Sequence, residues 1–290
     1  MIKRNAEDRI VDFIVYFTMI GILLVTLYPI IYEVSLSFSN AEAVDKKMVW
    51  LWPVGFNVDN YKLVLKHEYI PRSFLNSIFY TTVGTSYSLI LTIMGAYALS
   101  RKKYFGRDFI MLLIAFTMLF GGGLIPTFLL VKGIGLYGSM WALIIPTAIS
   151  QYNLIVMRTS MQQIPNSIEE SAKIDGANDF IIMLKIIIPM SIPVIATIGL
   201  FYAVGKWNDF FGGLVYLKDK SKYPLQLVAR ELLLSVDDQT LNRAQNAAVN
   251  SAQIAAMRNL TPGAFRAAVV VVVILPLMIV YPFLQRYFIK

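Results

Sequence analysis

The residues best placed to do chemistry lie between Pro165 and Pro189, in the stretch PNSIEESAKIDGANDFIIMLKIIIP. Glu169, Glu170 and Asp175 stand there beside Ser167, Ser171 and Lys173. The chain has no Cys and a single His, His67, which lies far upstream and reads as an outer-loop residue. No nucleophile–base pair and no Cys/His metal set can be assembled from such a chain. What these residues can do is hydrogen-bond and place charge. Ser167-x-x-Glu170 has the form of a capping box, in which the hydroxyl and the carboxylate each take an otherwise free backbone amide. Glu169 and Glu170 then sit in a first turn, where the helix dipole favours negative charge. Pro165 lies just outside this helix, and Gly176 ends it by adopting a left-handed turn. Asn178 or Asp179 can cap the next helix, which runs into the apolar residues 180–204. On capping chemistry alone this is a well-capped loop helix between two spans.

The rest of the chain carries no visible source of energy. There is no GxxxxGK[ST] loop, and Gly121-Gly122-Gly123 lacks the strand-turn-helix setting of a phosphate cradle. The apolar runs are nearly free of charge in their middles, so they hold no Asp/Glu/His relay for protons. A transport protein built this way is passive or takes its work from a partner. The polar helix at 167–176 is where a partner could push.

Composition sets the frame around that helix. Of 290 residues, 57% are hydrophobic and 15% charged, against about half and a quarter in soluble domains. Several apolar runs reach the roughly 20 residues that a bilayer crossing needs. The expectation is an all-α integral membrane protein with spans at about 13–34, 74–99, 109–131, 139–157, 181–204 and 264–288, after a short N-terminus at 1–12. The first run is too long for a typical signal-peptide core and reads as a retained span. Arg101, Lys102, Lys103 and Arg107 fill one short loop, against Lys132 alone in the next. That bias places the 101–107 loop, the 167–176 helix and both termini in the cytoplasm. The net charge of +8 then faces lipid head groups and partner proteins and not nucleic acid.

Several positions inside the spans are chemically distinct. Gly84, Ser86, Ser88, Thr92 and Gly95 are read as helix-packing residues. The Gly121–Gly123 run should interrupt or kink its helix, as a helix contact or as cavity wall. Pro189 and Pro193 should bend the fifth span. Residues 207–262 form a long outer segment in which 224–235 and 240–257 read as two helices. Asn259-Leu260-Thr261 is a glycosylation sequon, discounted as a three-residue pattern. A sugar path needs aromatic faces and hydrogen-bonding groups. Tyr152, Asn153, Tyr202, Trp207, Asn208 and Asp209 are candidates by type and position. Bonding between helices is the alternative for Tyr152 and Asn153, and interfacial anchoring is the alternative for Trp207.

Spacing points to a family. Glu170, Ala172, Gly176, Ile186 and Pro189 match the EAA signature of ABC-importer permeases, E-A-A-x3-G-x9-I-x-L-P, with Ser171 and Ile188 as the two departures. Ile174-Asp175-Gly176-Ala177 resembles the sugar-importer version. Ala-Tyr-Ala-Leu-Ser-Arg ending at Arg101, and the Pro53…Phe56…Asn60-Tyr61 spacing, are also similar to that group. From about Ile10 onward the chain resembles the permeases of carbohydrate uptake-1 ABC importers. It is similar to the second maltose permease and nearer to the polysaccharide-importer permeases of the LplC/YtcP type.

The resemblance implies a type I importer permease of six spans that is not itself an enzyme. It implies a second, related permease as heterodimer partner, two ATPase subunits that bind ATP and Mg2+, and an extracytoplasmic solute-binding protein that delivers an oligosaccharide or polysaccharide fragment. No cofactor is expected in this chain. Glu169, Glu170, Ser171, Ala172, Asp175, Gly176 and Ala177 would form the coupling element: Glu170 would contact the ATPase cleft, Ala172 would permit close approach and Gly176 would set the turn. The chain stops at Tyr287-Phe288-Ile289-Lys290, where many relatives continue with a Gly- and Lys-containing tail. The ATPase contact made by that tail in the maltose-type permease is therefore not carried over. A lone secondary transporter would show inverted repeats and buried ionisable residues, and neither is visible. A scaffold without transport would leave the capped helix and broken spans unexplained.

Overall fold

The computed structural model describes residues 6–101, 105–245 and 262–285, and the regular structure among them is helical throughout. Lys3, Arg4, Lys102, Lys103, the Asn259–Thr261 sequon and the last five residues lie outside the described residues. Three described helices are long and apolar enough to cross a bilayer, or five if each of two bent pairs counts as one span.

The chain divides into two compact units. Among the described residues the first comprises 6–67, 231–245 and 262–275. It begins with α1 (Ala6–Ser37), whose apolar stretch Arg9–Ser37 runs 29 residues, about 43 Å at 1.5 Å per residue. Thr18 and Thr26 return their hydroxyls to Ile14 and Ile22 carbonyls, so these two hydroxyls are satisfied within the apolar helix. At its end the serines turn inward. Ser35 Oγ donates to Leu51 O (2.7 Å), and Ser37 Oγ pairs with Tyr61 Oη (2.7 Å). Phe38 stacks on Phe56 and packs at a tilt on Tyr61, with ring centroids at 5.4 and 4.8 Å. The short helices α2 (Ala41–Asp45) and α3 (Asp59–Lys66) complete this folded-back segment.

Among the described residues the second unit comprises 68–101, 105–230 and 276–285. Its axis is α4 (Ile70–Ser100), with Ser77, Gly84, Ser88, Thr92 and Ala96 on the buried face. Small residues let other helices come close: a Cβ on Gly95 would stand 3.3 Å from Leu154 Cδ1. Next come α5 (Arg107–Leu119) and α6 (Leu124–Gly133), bent by 117° across the glycine run. Gly123 has φ +82°, a conformation that side chains resist. Gly121 and Gly122 have no neighbour within 4 Å of a built Cβ, so they break the helix without forming a helix contact within the described chain.

Residues 139–157 are not the continuous helix the apolar run suggests. A 3-10 turn at Met140–Leu143 gives way to irregular chain, and α7 starts only at Gln151 and ends at Gln162. Pro146 lacks an amide and pushes Ile145 away from helical angles, while Ser150 caps α7 by accepting Asn153 N–H. Then come α8 (Asn166–Ile174), α9 (Asp179–Ile182), a π-helical turn (Met183–Ile187), α10 (Ile188–Met190) and α11 (Ile192–Trp207). Pro189 explains the π turn, since its ring displaces the Lys185 carbonyl and Ile188 N–H reaches back to Met183 O. The chain bends by 83° at Ser191. A core of Ala96, Leu99, Leu154, Met157, Met161, Ile182, Ile187 and Ile198 joins α4, α7 and α11.

After α12 (Phe211–Tyr216), α13 runs unbroken over Leu225–Gln245, so the two helices expected there are one as far as it is described. No Gly or Pro between Ser235 and Thr240 stops it. The last helix, α14 (Pro262–Gln285), carries Pro276 and Pro282 within it.

Candidate functional site: a capped helix and a polar cavity

The helix α8 starts at Asn166 with Pro165 as its N-cap and no capping side chain. The Ser167–Glu170 box therefore does not form. It requires Ser at the cap, and Ser167 is already the second residue of the helix. The far end is closed as the sequence suggests. Gly176, at φ +83°, sends its N–H to Lys173 O, and Ala177 N–H reaches Ala172 O, the paired bonds of a Schellman end. Asn178 Oδ1 then caps α9 by accepting Ile181 N–H at 2.8 Å. Lys173 Nζ bridges the turn to Asp179 at 2.7 Å. That hydrogen bond holds the Lys173 ammonium above its ordinary range.

The two faces of α8 differ sharply. Glu169 and Ala172 point inward, and Ala172 packs into the core with Met157, Met161 and Ile182. Its small side chain thus serves close packing inside this chain. Glu169 Oε1 meets Arg101 Nη1 at 2.8 Å, with the side chains 11% and 15% exposed. Glu170, Ser171, Asp175 and Gly176 are exposed, and Ala177 is half-buried. Ile174, which sequence reasoning did not single out by itself, is 86% exposed.

A cavity of about 390 Å³ opens elsewhere in the same unit. Thr147, Ser150, Asn153, Phe201, Tyr202, Gly205, Lys206 and Asp209 line it. Of the six candidates for a sugar path it gathers Asn153, Tyr202 and Asp209. Tyr152 points elsewhere and is exposed. Trp207 is buried edge-on to Phe74 at 6.1 Å, so it is not an interfacial anchor. Asn208 Oδ1 accepts from Gln226 Nε2 at 3.2 Å.

Tyr202 Oη is bonded to Thr92 Oγ1 (2.8 Å) and accepts Ser150 N–H (3.0 Å), which fixes the ring. Asp209 Oδ1 accepts Gly212 N–H at 2.7 Å. Lys206 was missed. Its ammonium donates to Leu143 O (2.9 Å) and Thr147 Oγ1 (2.5 Å), and its stem lies along Gly84. The signal was present, because Tyr202, Lys206 and Asp209 recur at i, i+4 and i+7 along one helical face. The irregular segment 144–150 was not predicted, so Thr147 and Ser150 had no reason to be drawn toward that face.

Residues 88–290 match the family of binding-protein-dependent transport system inner membrane components. The chain belongs to this family. The permease is 40% identical over 290 residues to the polygalacturonan/rhamnogalacturonan transport system permease protein YtcP of Bacillus subtilis (strain 168), covering 98% of this chain and 96% of that protein. It is 40% identical over 272 residues to protein LplC of the same organism, covering 93% and 88%. A chain from a crystal structure of a bacterial ABC transporter involved in import of the acidic polysaccharide alginate superposes with TM-score 0.87 at 36% identity, over 99% of this chain and 100% of that one. The permease thus has the all-α type I importer fold and is a membrane transport component.

Proposed function

We propose that the permease forms half of the path for a polysaccharide fragment in an ABC importer, and that α8 docks on a separate ATPase subunit. The substrate class is supported by the relatives named for polygalacturonan/rhamnogalacturonan and alginate. A second, related permease completes the path, a solute-binding protein supplies the sugar, and two ATPases hold the ATP and Mg2+. Both termini, the 101–107 loop and α8 face the cytoplasm in this reading, following the basic residues of the short loops.

One observation carries the docking assignment. The inner face of α8 is fixed to its own chain by Glu169 and Ala172, while Glu170, Ser171, Ile174 and Asp175 stand free. A short helix offering one large apolar side chain ringed by polar groups fits a cleft on a partner. Closure of the ATPases would push on α8, and the Schellman turn with the Asn178 cap would pass the displacement to α9 and the bent α10–α11 pair. Sugar-stimulated ATP hydrolysis by the reconstituted complex tests this. Glu170→Arg should abolish stimulation while the permease pair still assembles. Equal stimulation in mutant and wild type would refute docking through this face.

A further inference from the structure

Lys206 is a buried cation in an unusual setting. Its side chain is packed against α4 and the residue is 7% exposed, yet it belongs to the lining of the 390 Å³ cavity. Among the described residues no carboxylate lies within ion-pair distance of it. Its two hydrogen-bond partners, Leu143 O and Thr147 Oγ1, are neutral, and the charge of Asp209, in the same cavity lining, acts on it only from beyond ion-pair distance. An ammonium has three N–H donors, so one remains. Burying a charge whose hydrogen bonds all go to neutral groups is costly. A scaffold that only needed to hold Leu143 O and Thr147 could use a neutral donor. The charge makes sense if an anion enters the cavity.

We infer that Lys206 is the carboxylate-binding group of this permease, selecting fragments that carry uronic acids over neutral ones. The inference rests on the reading of the chain as a polysaccharide-fragment permease. The remaining Lys206 donor takes one carboxylate oxygen as a charge-assisted bond. The half-exposed Phe201 ring and the amide of Asn153, which line the same cavity, meet the sugar's apolar face and hydroxyls. Asp209 supplies the opposing sign. Its Oδ1 is engaged by Gly212 N–H, and its residual negative charge weakens the hold on a uronate enough for the ligand to leave.

The test uses proteoliposomes holding the complete complex with its binding protein, offered an oligogalacturonide, the same oligomer as its methyl ester, and a neutral malto-oligosaccharide. Uptake by each variant is divided by wild-type uptake of the same ligand, so the preference of the binding protein cancels. Lys206→Met should lower acid uptake by about tenfold, the weight of one hydrogen bond to a charged group, with ester uptake little changed. Lys206→Arg should retain the acid, and Asp209→Asn should raise acid relative to ester. Equal losses of acid and ester in Lys206→Met with normal assembly would overturn the inference and make Lys206 a strut. If Lys206→Met fails to assemble, Asp209→Asn decides, and an unchanged acid-to-ester ratio overturns it. Wild-type uptake of the neutral oligomer alone would overturn uronate selection and leave the polysaccharide reading standing. Uptake of no oligosaccharide at all would overturn both.

Discussion

Arg101 Nη1 and Glu169 Oε1 lie 2.8 Å apart, joining the end of α4 to the inner face of α8. The guanidinium also lies over the Tyr97 ring at 4.9 Å. Nearby, Arg158 Nε donates to Leu99 O at 3.3 Å, which ties α7 to the same end of α4. Arg101 therefore does more than bias topology. Removing one partner of such a pair leaves a buried charge alone and costs about 3–5 kcal/mol. Glu169→Gln should accordingly lower the melting temperature of the purified permease pair. Replacing both residues by Met should recover most of the loss, because neither charge then remains buried. A double-mutant cycle by thermal unfolding checks this, and purely additive losses would argue against the bridge.

The neighbouring carboxylate should behave in the opposite way. Glu170 is exposed, as is Ile174 at 86%. Surface changes away from special features shift stability by less than about 0.5 kcal/mol. Ile174→Asp and Glu170→Arg should leave the melting temperature nearly unchanged. Both should cut sugar-stimulated ATP hydrolysis by at least about tenfold, as expected for the loss of an interface hot spot. A large drop in melting temperature with coupling retained would return these residues to a structural role.

Gly176 isolates the contribution of the turn. At φ +83° it has nothing within 4 Å of a built Cβ. An added methyl would meet no atom, so the penalty is one of backbone conformation alone, about 1 kcal/mol for Ala. Asn tolerates this conformation better. Gly176→Ala should thus destabilise more than Gly176→Asn, read as the order of melting temperatures. A reversed order would mean that side-chain volume at the turn, and not φ, sets the cost.

Legibility in the sequence followed the range of the interactions. The turn at Gly176, a cap at Asn178 or Asp179 and the bend near Pro189 and Pro193 depend on residues a few positions apart, and each is readable. The inward turn of Glu169 is not, because its partner Arg101 is remote in sequence. The capping box failed for a similar reason: the pattern fits, but Pro165 begins the helix early enough to bring Ser167 inside it. The cavity was half legible. Tyr202 lies on α11 and Asp209 just beyond its C-cap, seven residues on, whereas Thr147 and Ser150 come from the irregular segment around Pro146.

Tyr202 offers the sharpest test of that unwound segment. Its hydroxyl takes the amide of Ser150, the residue that caps α7, and also bonds Thr92 Oγ1 on α4. One oxygen thus holds three elements around the cavity wall. Tyr202→Phe keeps the ring and its packing but leaves the buried Thr92 hydroxyl and the part-buried Ser150 amide without their partner, at about 1–3 kcal/mol for a fully buried group and less for the amide. The melting temperature should fall, and the half-saturating sugar concentration for transport should rise, since Asn153 follows directly on the loosened cap. Thr92→Val should reproduce part of the stability loss with a smaller effect on transport, because it leaves the Ser150 bond intact. Equal transport defects in the two variants would show that the Tyr202–Ser150 bond is not what shapes the cavity.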